Sequence, residues 1–216
     1  MKKKYKVTFL LDNTNLWIEN KLRNYNFKLN NKYNFKISKN LKKIINQDIV
    51  ILLSYTKILP ESFLQKNSLV LVAHPSKLPR DKGFAPVQYQ ILKNCRKICI
   101  SLIKATKKVD AGPIYLRSFF KLKGTELSNE IRDIQGKQII NMIKKFLVKF
   151  PNVKSKKQIG KGNFNKRRHP KDSKLNIDKT IKQQFNHLRI NDNELFPSFF
   201  YYKEKKYIIK IYKEKK

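Results

Sequence analysis

The sequence predicts an α/β fold with a mostly parallel central sheet and helices packed against it. Three observations lead to this prediction: short apolar and β-branched segments recur along residues 1–150, helical patterns separate them, and polar turn residues follow them. Strands and helices that alternate along a chain build βαβ units, in which each helix returns the chain to start another parallel strand. We therefore expect one domain over residues 1–150 and a short α+β extension over residues 151–216.

Six segments have the composition of strands. The runs at 48–53 and 69–73 are almost continuously apolar and β-branched, which is typical of strands buried on both faces of a parallel sheet. The segment at 35–37 gives a weaker signal, and two neighbouring phenylalanines weaken the alternation at 114–122. In chain order, the predicted strands span residues 6–11, 35–37, 48–53, 69–73, 97–103 and 114–122.

Apolar residues at helical spacing lie between these strands. In the longest pattern Leu127, Ile131 and Ile134 trace an apolar face, and Pro151 ends the helix because proline lacks the backbone N–H that a helix needs. The polar turn at 12–15 is suited to capping the first helix. In chain order, the predicted helices span residues 16–25, residues 39–45, a short segment from Pro60, residues 85–92, and a long segment that opens at 125–130 and runs to about 147.

The sequence becomes more polar after residue 150. Few apolar side chains follow for about twenty residues, and two glycines interrupt this stretch, as is typical of a linker. We expect a domain boundary at 150–155 and an extension that docks on the main domain. The extension is predicted to contain a polar linker at 154–174, a short helix at 179–188, and a hairpin pairing 199–202 with 207–212 across 203–206.

The net charge of +35, from 50 Lys and Arg against 15 Asp and Glu, has two interpretations. A nucleic-acid surface is one of them, but such surfaces usually use arginine, and only eight of the basic residues are arginine. The basic residues are spread along the chain, and Lys, Asn, Ile, Phe and Tyr are all encoded by A- and T-rich codons. We therefore interpret the charge mainly as a lysine-rich surface. The aromatic content of 12% argues against a disordered chain.

Cysteine usage and hydropathy exclude two further classes of protein. Cys95 and Cys99 are three residues apart rather than two, and no second pair completes a zinc site or a disulfide framework. Neither a signal-peptide cleavage site nor an apolar run of the roughly 20 residues needed to cross a bilayer is evident. We expect a reduced cytoplasmic protein without a membrane segment and without a bound metal.

The most informative segment begins where a predicted strand ends at His74. A loop follows that contains Pro75, Pro79 and Pro86, so it is stiff as well as polar. In open α/β sheets ligands bind beyond the carboxyl ends of the strands, where this histidine would lie. A single histidine is more often structural than catalytic, but His74 is the only imidazole before residue 150. We therefore predict a catalytic role for it.

A second polar element, Asp110, follows the predicted strand at 97–103. An aspartate before Gly112 and Pro113 is also a routine turn former, which is the structural alternative. We expect Asp110 to lie at the carboxyl end of its strand and therefore close to His74. A carboxylate beside an imidazole orients the ring and favours its protonated form, an arrangement suited to proton transfer.

Three ordered segments resemble the folate-dependent formyltransferases, which formylate glycinamide ribonucleotide, methionyl-tRNA or amino sugars. These segments are His74-Pro75-Ser76-x-Leu78-Pro79, Lys82-Gly83-x-Ala85-Pro86-Val87-Gln88 and Asp110-Ala111-Gly112-Pro113-Ile114. The similarity runs from about residue 48 to 150, and residues 54–60 are similar to the segment that lines the family's pterin pocket. The extension is similar to the amino-sugar branch at 167–173 and 185–189.

This resemblance implies a Rossmann-like catalytic domain that transfers a formyl group from 10-formyltetrahydrofolate to a primary amine. It implies that His74 stabilises the developing oxyanion and that Asp110 orients His74 and helps to remove the amine proton. It also implies binding residues for both substrates. The folate-binding candidates are Lys57, Ile58, Leu59, Val109, Ala111 and Gly112, and the acceptor-side candidates are Ser76, Lys82, Gly83, Gln88, Arg167, Arg168 and Arg189.

One position departs from the family pattern. The family usually has an asparagine two residues before the histidine as a further donor to the oxyanion, and this chain has Val72 there. Losing such a donor typically costs about 10²–10³ in rate. Gln88 and Gln90 are candidate replacements. The alternative is a protein that keeps the fold and binds folate or a partner without catalysis.

Three interpretations of the acceptor remain open. An amino sugar, linked to a nucleotide, is favoured by the sequence of the extension, where arginines could bind phosphates. Methionyl-tRNA is favoured by the net charge, although the extension is short for a separate RNA-binding domain. A non-catalytic module is favoured by Val72. The sequence leaves the oligomeric state open.

Overall fold

The computed structural model describes residues 4–13, 16–25, 27 and 32–214 of the chain. Ten strands form within these residues. We number them in chain order as β1 (Tyr5–Leu11), β2 (Tyr33–Ser38), β3 (Ile49–Leu53), β4 (Leu69–His74), β5 (Lys82–Gly83), β6 (Lys97–Lys104), β7 (Ile114–Lys121), β8 (Phe164–Asn165), β9 (Ser198–Tyr202) and β10 (Lys205–Ile209).

The helices of the described residues are α1 (Leu16–Arg23), α2 (Glu61–Gln65), α3 (Pro86–Leu92), α4 (Ser128–Lys149) and α5 (Phe185–Ile190). None of these helices is long and apolar enough to cross a membrane. The helix predicted at 39–45 is reduced to a single 3-10 turn at Leu41–Lys43, capped by the side chain of Asn40. Two residues of the predicted capping turn, Thr14 and Asn15, lie outside the described residues.

The main sheet has six strands in the order β2-β1-β3-β4-β6-β7. The first four of these, from β2 to β4, are mutually parallel, whereas β6 runs antiparallel to β4 and β7 antiparallel to β6. This arrangement confirms the predicted α/β class and the mostly parallel sheet. The carboxyl ends of β3 and β4 therefore meet at one edge, where His74 is the last residue of β4.

The two faces of the sheet bury different side chains. On one face α1 and α4 cover alternate strand residues such as Phe9, Ile51 and Leu71, which form the larger core cluster. On the other face Leu10, Val50, Leu52 and Val70 form a smaller cluster with Phe63 of α2. All five residues of β3 are buried, as its continuous apolar sequence predicts.

The predicted helix and hairpin of the extension form with shifted boundaries. Helix α5 begins at Phe185 rather than at 179, because the preceding residues make separate turns. The β9–β10 hairpin is tighter than predicted, since Tyr202 pairs with Lys205 across only two residues. Those residues, Lys203 and Glu204, both have positive φ angles of 44° and 61°, as two-residue hairpin turns of the primed types require.

The segment predicted as a linker lies against the main domain. Its Lys156 exchanges two backbone hydrogen bonds with Ile114 at the start of β7, at 2.7 and 2.9 Å. Further along, β8 pairs in parallel with β5, so that Phe164 and Asn165 lie beside Lys82 and Gly83. The segment is polar, as its sequence indicates, and it docks through backbone and amide hydrogen bonds that a hydrophobicity pattern does not register.

Candidate active site

His74 ends β4 and is held between two turns of the chain. Side chains alternate along a strand, so His74 and Val72 share the face opposite α1 and α4. The imidazole is 6% exposed. Its Nε2 lies 2.8 Å from the backbone oxygen of Asp81, and its Nδ1 lies 3.4 Å from Oδ1 of Asp110. The structure thus brings together the two residues that the sequence predicts as a pair.

Asp110 does not reach His74 from the carboxyl end of a parallel strand, as the sequence predicts. Because β6 is antiparallel to β4, the carboxyl end of β6 at Lys104 lies beside Leu71, short of the edge at which His74 lies. The loop from 105 to 113 folds back over the sheet and carries Asp110 to His74. Asp110 takes a left-handed conformation with φ of 50°, and its Oδ2 accepts a 2.8 Å hydrogen bond from the backbone N–H of Gly83.

Both ring nitrogens of His74 therefore face oxygen atoms of the protein. A neutral imidazole has a single N–H and can donate to only one of the two oxygens. The 2.8 Å contact with Asp81 is the well-formed hydrogen bond, so Nδ1 faces the Asp110 carboxylate at longer range. The ring can donate a hydrogen bond to a substrate oxygen only in place of one of these contacts.

The turn at Asp81 is itself held by polar side chains. The Asp81 carboxylate accepts hydrogen bonds from Lys93 at 2.8 Å, from Asn163 at 3.2 Å and from Asn165 at 3.3 Å. Burial alone would raise the pKa of Asp81, but these hydrogen bonds and the Lys93 charge outweigh it and lower the pKa below its ordinary value. These hydrogen bonds hold Asp81 in place and thereby fix its backbone carbonyl, which contacts His74.

A cavity of about 550 Å³ opens beside His74 and Asp110 at the carboxyl ends of β3 and β4. Its wall includes several of the predicted folate-binding residues, namely Lys57, Ile58, Leu59 and Val109. Ala111 and Gly112 are not among the described residues that line it. Gly112 instead packs on the backbone of β6, where a side-chain Cβ would lie only 1.7 Å from the carbonyl oxygen of Lys104.

Asp12 anchors the loop that forms one wall of the cavity. The loop follows β3, and Asp12 follows the neighbouring parallel strand β1, so the two meet at the same edge. Oδ2 of Asp12 accepts hydrogen bonds from the Thr56 backbone N–H at 2.7 Å and from its hydroxyl at 2.6 Å. Burial, and secondarily the Asp12 charge, raises the pKa of the adjacent Tyr55. Asp12, expected only in a helix cap, thus supports the site.

Several residues that line the cavity are absent from the sequence-based prediction, and three of them lie on helices α1 and α4. Trp17 of α1 and Arg132 and Gln135 of α4 line the cavity from the helical side of the sheet. Gln135 is a buried amide four residues after Ile131, on the apolar face of α4. A polar residue at a core position of an amphipathic helix is the signal that could have identified it.

The predicted acceptor-side residues have different environments. Gln88 and Gly83 line the cavity, while Ser76 is fully buried and donates from its hydroxyl to the Arg80 carbonyl. Lys82 belongs to the β5–β8 pairing. Arg167 is exposed and stacks 4.6 Å from the ring centre of Phe84, which lines the cavity.

Two predicted arginines hold the extension together instead. Arg168 donates to the Asp172 carbonyl and to the Asn191 side chain. Arg189 is 2% exposed, donates to Asn186 and to the Glu126 carbonyl, and has a pKa lowered by burial. The expectation that Arg189 faces a phosphate was wrong, because this side chain is buried and donates to protein oxygens. For Arg168, which is only partly buried, phosphate binding stays a prediction.

Val72 lines the cavity at the position where the family pattern has asparagine. It packs with Leu78 and Ile103, so this part of the wall is apolar. Of the two suggested replacement donors, Gln90 is buried and gives its amide hydrogens to the carbonyls of Pro75 and Pro86. Gln88 is the one that lines the cavity.

The sequence profile of a protein family described as formyl transferase matches residues 2–143, about two thirds of the chain. The chain is a member of the formyl transferase family. Among curated relatives, the methionyl-tRNA formyltransferase of Fusobacterium nucleatum is 29% identical over 172 residues, covering 76% of this chain and 55% of that protein. The corresponding enzyme of Rickettsia massiliae is 29% identical over 57% of this chain and 41% of that protein. This formyl transferase thus spans about half the length of these relatives.

Solved structures share the fold of this formyl transferase along almost its whole length. A methionyl-tRNA formyltransferase from Clostridium thermocellum has a TM-score of 0.80 at 22% identity, over 94% of this chain and 90% of that chain. A 4-N formyltransferase from Francisella tularensis has a TM-score of 0.74 at 17% identity, over 98% of both chains. HypX from Aquifex aeolicus in complex with tetrahydrofolic acid has a TM-score of 0.71 at 15% identity, over 94% of this chain and 37% of that chain. These likenesses confirm the Rossmann-like fold.

Proposed function

We propose that this formyl transferase moves a formyl group from 10-formyltetrahydrofolate to a primary amine. The observation that carries the proposal is the buried His74–Asp110 pair, 3.4 Å apart at the wall of the cavity. A carboxylate that orients an imidazole beside an open cavity is suited to stabilising an oxyanion and to moving a proton. The family membership and the folate complex of the structural neighbour HypX support the same reaction class.

The cavity suits the pterin ring of the folate. Its wall combines the apolar residues Leu59, Val72 and Ile103 with polar and charged residues of the two neighbouring loops, such as Ser54, Thr56 and Thr106. A flat ring with several hydrogen-bonding atoms needs this combination of apolar surface and positioned polar groups. We assign folate binding to residues 57–59 and to Val109, which line the cavity beside Asp110.

When bound, the folate would supply the formyl carbon: the amine nitrogen bonds to that carbon, the bond from the carbon to the folate nitrogen breaks, and the amine proton ends on the nitrogen of the tetrahydrofolate that leaves. The protein positions the two substrates and stabilises the negative charge that develops on the formyl oxygen.

Nε2 of His74 would donate a hydrogen bond to the formyl oxygen that gains negative charge. This hydrogen bond would replace the one between Nε2 and the Asp81 carbonyl. Asp110, whose Oδ1 lies 3.4 Å from Nδ1 of the ring, would receive the proton of the amine, directly or through water, and return it to the folate nitrogen that leaves. The N–H of Gly83 keeps the carboxylate aimed at the ring.

A formylation assay tests the proposed reaction. The protein should formylate an amine only when 10-formyltetrahydrofolate is present, and His74→Asn should lower kcat/KM by about 10²–10⁴. The His74→Asn protein should still bind folate and unfold at a similar temperature. Folate binding without transfer by the wild-type protein would instead support the non-catalytic module.

For the acceptor, we propose the amine of a nucleotide-linked sugar. Support comes from the extension, whose sequence is similar to the amino-sugar branch at 167–173. Arg167 is exposed at the rim of the cavity, where it stacks on Phe84. A guanidinium held in this way can bind a phosphate while its planar face stays packed. Phe84 and Arg167 thus form the acceptor-side wall in this proposal.

A specific observation favours methionyl-tRNA as the second candidate acceptor. A second cleft, of about 780 Å³, is lined by seven basic residues and by no acidic one. No ion pair joins any of these seven to an acidic group within the described part of the chain. Unpaired cations along a cleft suit a phosphate backbone. The cleft residues concerned are Lys77, Arg80, Arg117, Lys154, Lys156, Lys157 and Lys161.

The two acceptors can be separated by one comparison. Initial rates should be measured with a panel of nucleotide-linked amino sugars and with methionyl-tRNA, at two salt concentrations. A sugar enzyme should respond to the panel and be insensitive to Lys154→Ala/Lys157→Ala. A tRNA enzyme should bind tRNA more weakly at high salt and lose binding in that double variant. Lys42→Ala/Lys43→Ala, on the exposed 3-10 turn, removes the same charge elsewhere and serves as the control.

A further inference from the structure

We propose that Gln158, in the extension, is a positioning residue that holds Asp110 against His74. The inference rests on the proposed function, since it assigns a support to the same pair. The evidence is a pair of hydrogen bonds: Nε2 of the Gln158 amide donates to the carbonyl oxygens of Asp110 at 2.9 Å and of Gly112 at 2.8 Å. One side chain thus bridges both ends of the turn that presents the carboxylate.

The turn that presents the carboxylate belongs to a loop without helix or strand, so no regular ladder of backbone hydrogen bonds holds it. Asp110 has a φ of 50°, a left-handed conformation that aspartate adopts more readily than most residues with a side chain. The turn also faces a cavity, so packing on that side does not hold it. Two hydrogen bonds from one amide fix the two carbonyls relative to each other, and with them the direction of the Asp110 carboxylate.

Gln158 is placed by contacts that do not involve its own side chain. The backbone pairing of Lys156 with Ile114 puts the extension beside the turn, two residues before the glutamine. The Oε1 atom of Gln158 is buried without a hydrogen-bond partner among the described residues. A buried acceptor without a hydrogen-bond partner is costly. The two hydrogen bonds that Nε2 donates, rather than any bond to Oε1, therefore account for a glutamine at this position.

The extension supports the opposite side of His74 by similar means. Asn163 and Asn165 donate to the carboxylate of Asp81, whose own backbone is left-handed with φ of 54° and whose carbonyl contacts Nε2 of the ring. His74 therefore lies between two left-handed turns, and amide side chains of the extension brace both. Gln158 is the brace that acts on the catalytic carboxylate.

The test uses three variants of the full chain. Gln158→Leu keeps the approximate size and removes both donors, and we expect kcat to fall by about 10- to 100-fold while KM for the amine and for folate changes less than about threefold. Gln158→Lys keeps a donor of similar reach and should recover most of kcat. Gln183→Leu, which removes an exposed amide elsewhere in the extension, should behave as wild type.

The outcomes separate this inference from the proposed function. If Asp110→Asn is inactive and Gln158→Leu has wild-type kcat, the positioning role is wrong and the proposed reaction stands. If Asp110→Asn keeps full activity, the proposed function fails first. A fall in kcat for Gln158→Leu that Gln158→Lys does not recover, or one matched by an equal rise in KM, also overturns the role. Circular dichroism and a thermal melt check that each variant folds.

Discussion

At the scale of single residues, the environment of His74 explains why the site is assembled in the way it is. One ring nitrogen bonds a carbonyl and the other faces a carboxylate, so the orientation of the ring is fixed before any substrate arrives. Such preorganisation lowers the cost of aligning the donor during the reaction. It also requires that the Asp81 contact be exchangeable, because the substrate oxygen needs an N–H of the same ring.

Asp110→Asn tests the charge of the carboxylate apart from its shape. The asparagine can still accept the hydrogen bond from the Gly83 N–H, so the fold should be retained. It carries no charge and cannot take up a proton as a carboxylate does, and we therefore expect kcat/KM to fall by about 10²–10⁴. Steady-state kinetics beside a thermal melt make the measurement. Wild-type turnover in this variant would remove Asp110 from the reaction.

Gly83 and Gly160 form a matched pair for testing close packing. Both have positive φ angles, of 84° and 98°, so an alanine is strained at either position. At Gly83 the new Cβ would also lie 2.5 Å from a ring carbon of Phe164 and 2.6 Å from the backbone oxygen of Asn165, whereas at Gly160 nothing lies within 4 Å. We expect Gly160→Ala to cost about 1–2 kcal/mol of unfolding free energy and Gly83→Ala about 1–3 kcal/mol more.

Urea denaturation provides the free energies for this comparison, and a formylation assay provides a second readout. Gly83→Ala should also lose activity, because the β5–β8 pairing that it disturbs carries the N–H donor to Asp110. Gly160→Ala should keep its activity. Equal losses of unfolding free energy in the two variants would show that the neighbours of Gly83 move aside without a cost in stability.

At the scale of elements, the sequence was sufficient for the six strands of the main sheet and for the long helix, but it did not predict the short strands β5 and β8. The runs at β3 and β4 and the periodic apolar face of α4 are patterns that burial itself produces, so they can be recognised without the structure. The direction of β6 was not predictable in this way. A buried strand has the same composition in either direction. Strand β6 runs antiparallel to β4 because the connection over residues 75–96 starts β6 at the same edge of the sheet at which β4 ends.

The same limit applies to the candidate site. His74, Asp110 and residues 57–59 could be found because they follow strands or match family segments. Gln158, Asn163 and Asn165 lie in a polar stretch with no periodicity, and their roles depend on hydrogen bonds to residues about 50–80 positions away. Contacts of this kind leave no pattern along a single sequence.

Gln135 of α4 is buried but lines the cavity, so it could serve either packing or substrate binding. Replacing it by leucine removes a polar group from an apolar helix face, so the unfolding free energy should stay within about 1 kcal/mol of wild type. If the amide contacts a substrate, KM for that substrate should rise several-fold with kcat little changed. Thermal melts and separate KM values for folate and amine give the answer, and unchanged KM values would make Gln135 a packing residue.

At the scale of the whole molecule, carboxylates tie the extension to the rest of the chain. Arg132 of α4 pairs with Asp192 at 2.5 Å. Burial would raise the pKa of Asp192, but hydrogen bonds from the backbone of Leu195 and Glu194 and from Arg132 lower it overall. Asp81, which accepts hydrogen bonds from Asn163 and Asn165 of the extension, also has a lowered pKa.

These lowered pKa values predict acid sensitivity. A carboxylate with a folded-state pKa below its unfolded value of about 4 stabilises the fold at neutral pH, and this contribution is lost as the pH falls through the folded value. We expect Asp192→Asn to be less stable than wild type at pH 7 by about 1–3 kcal/mol. The difference should shrink below pH 4, as measured by urea denaturation across pH. A difference independent of pH would exclude titration of Asp192 as its source.

The docking of residues 156–165 on the loops that hold His74 and Asp110 has a consequence for the timing of folding during synthesis. A nascent chain that has emerged only to residue 150 contains both reacting side chains but none of the amides that brace their turns. In the proposed mechanism, activity would therefore be acquired late, after the whole main sheet has been made. An incomplete chain would hold His74 and Asp110 without the amides that align them, and we expect it to turn over slowly.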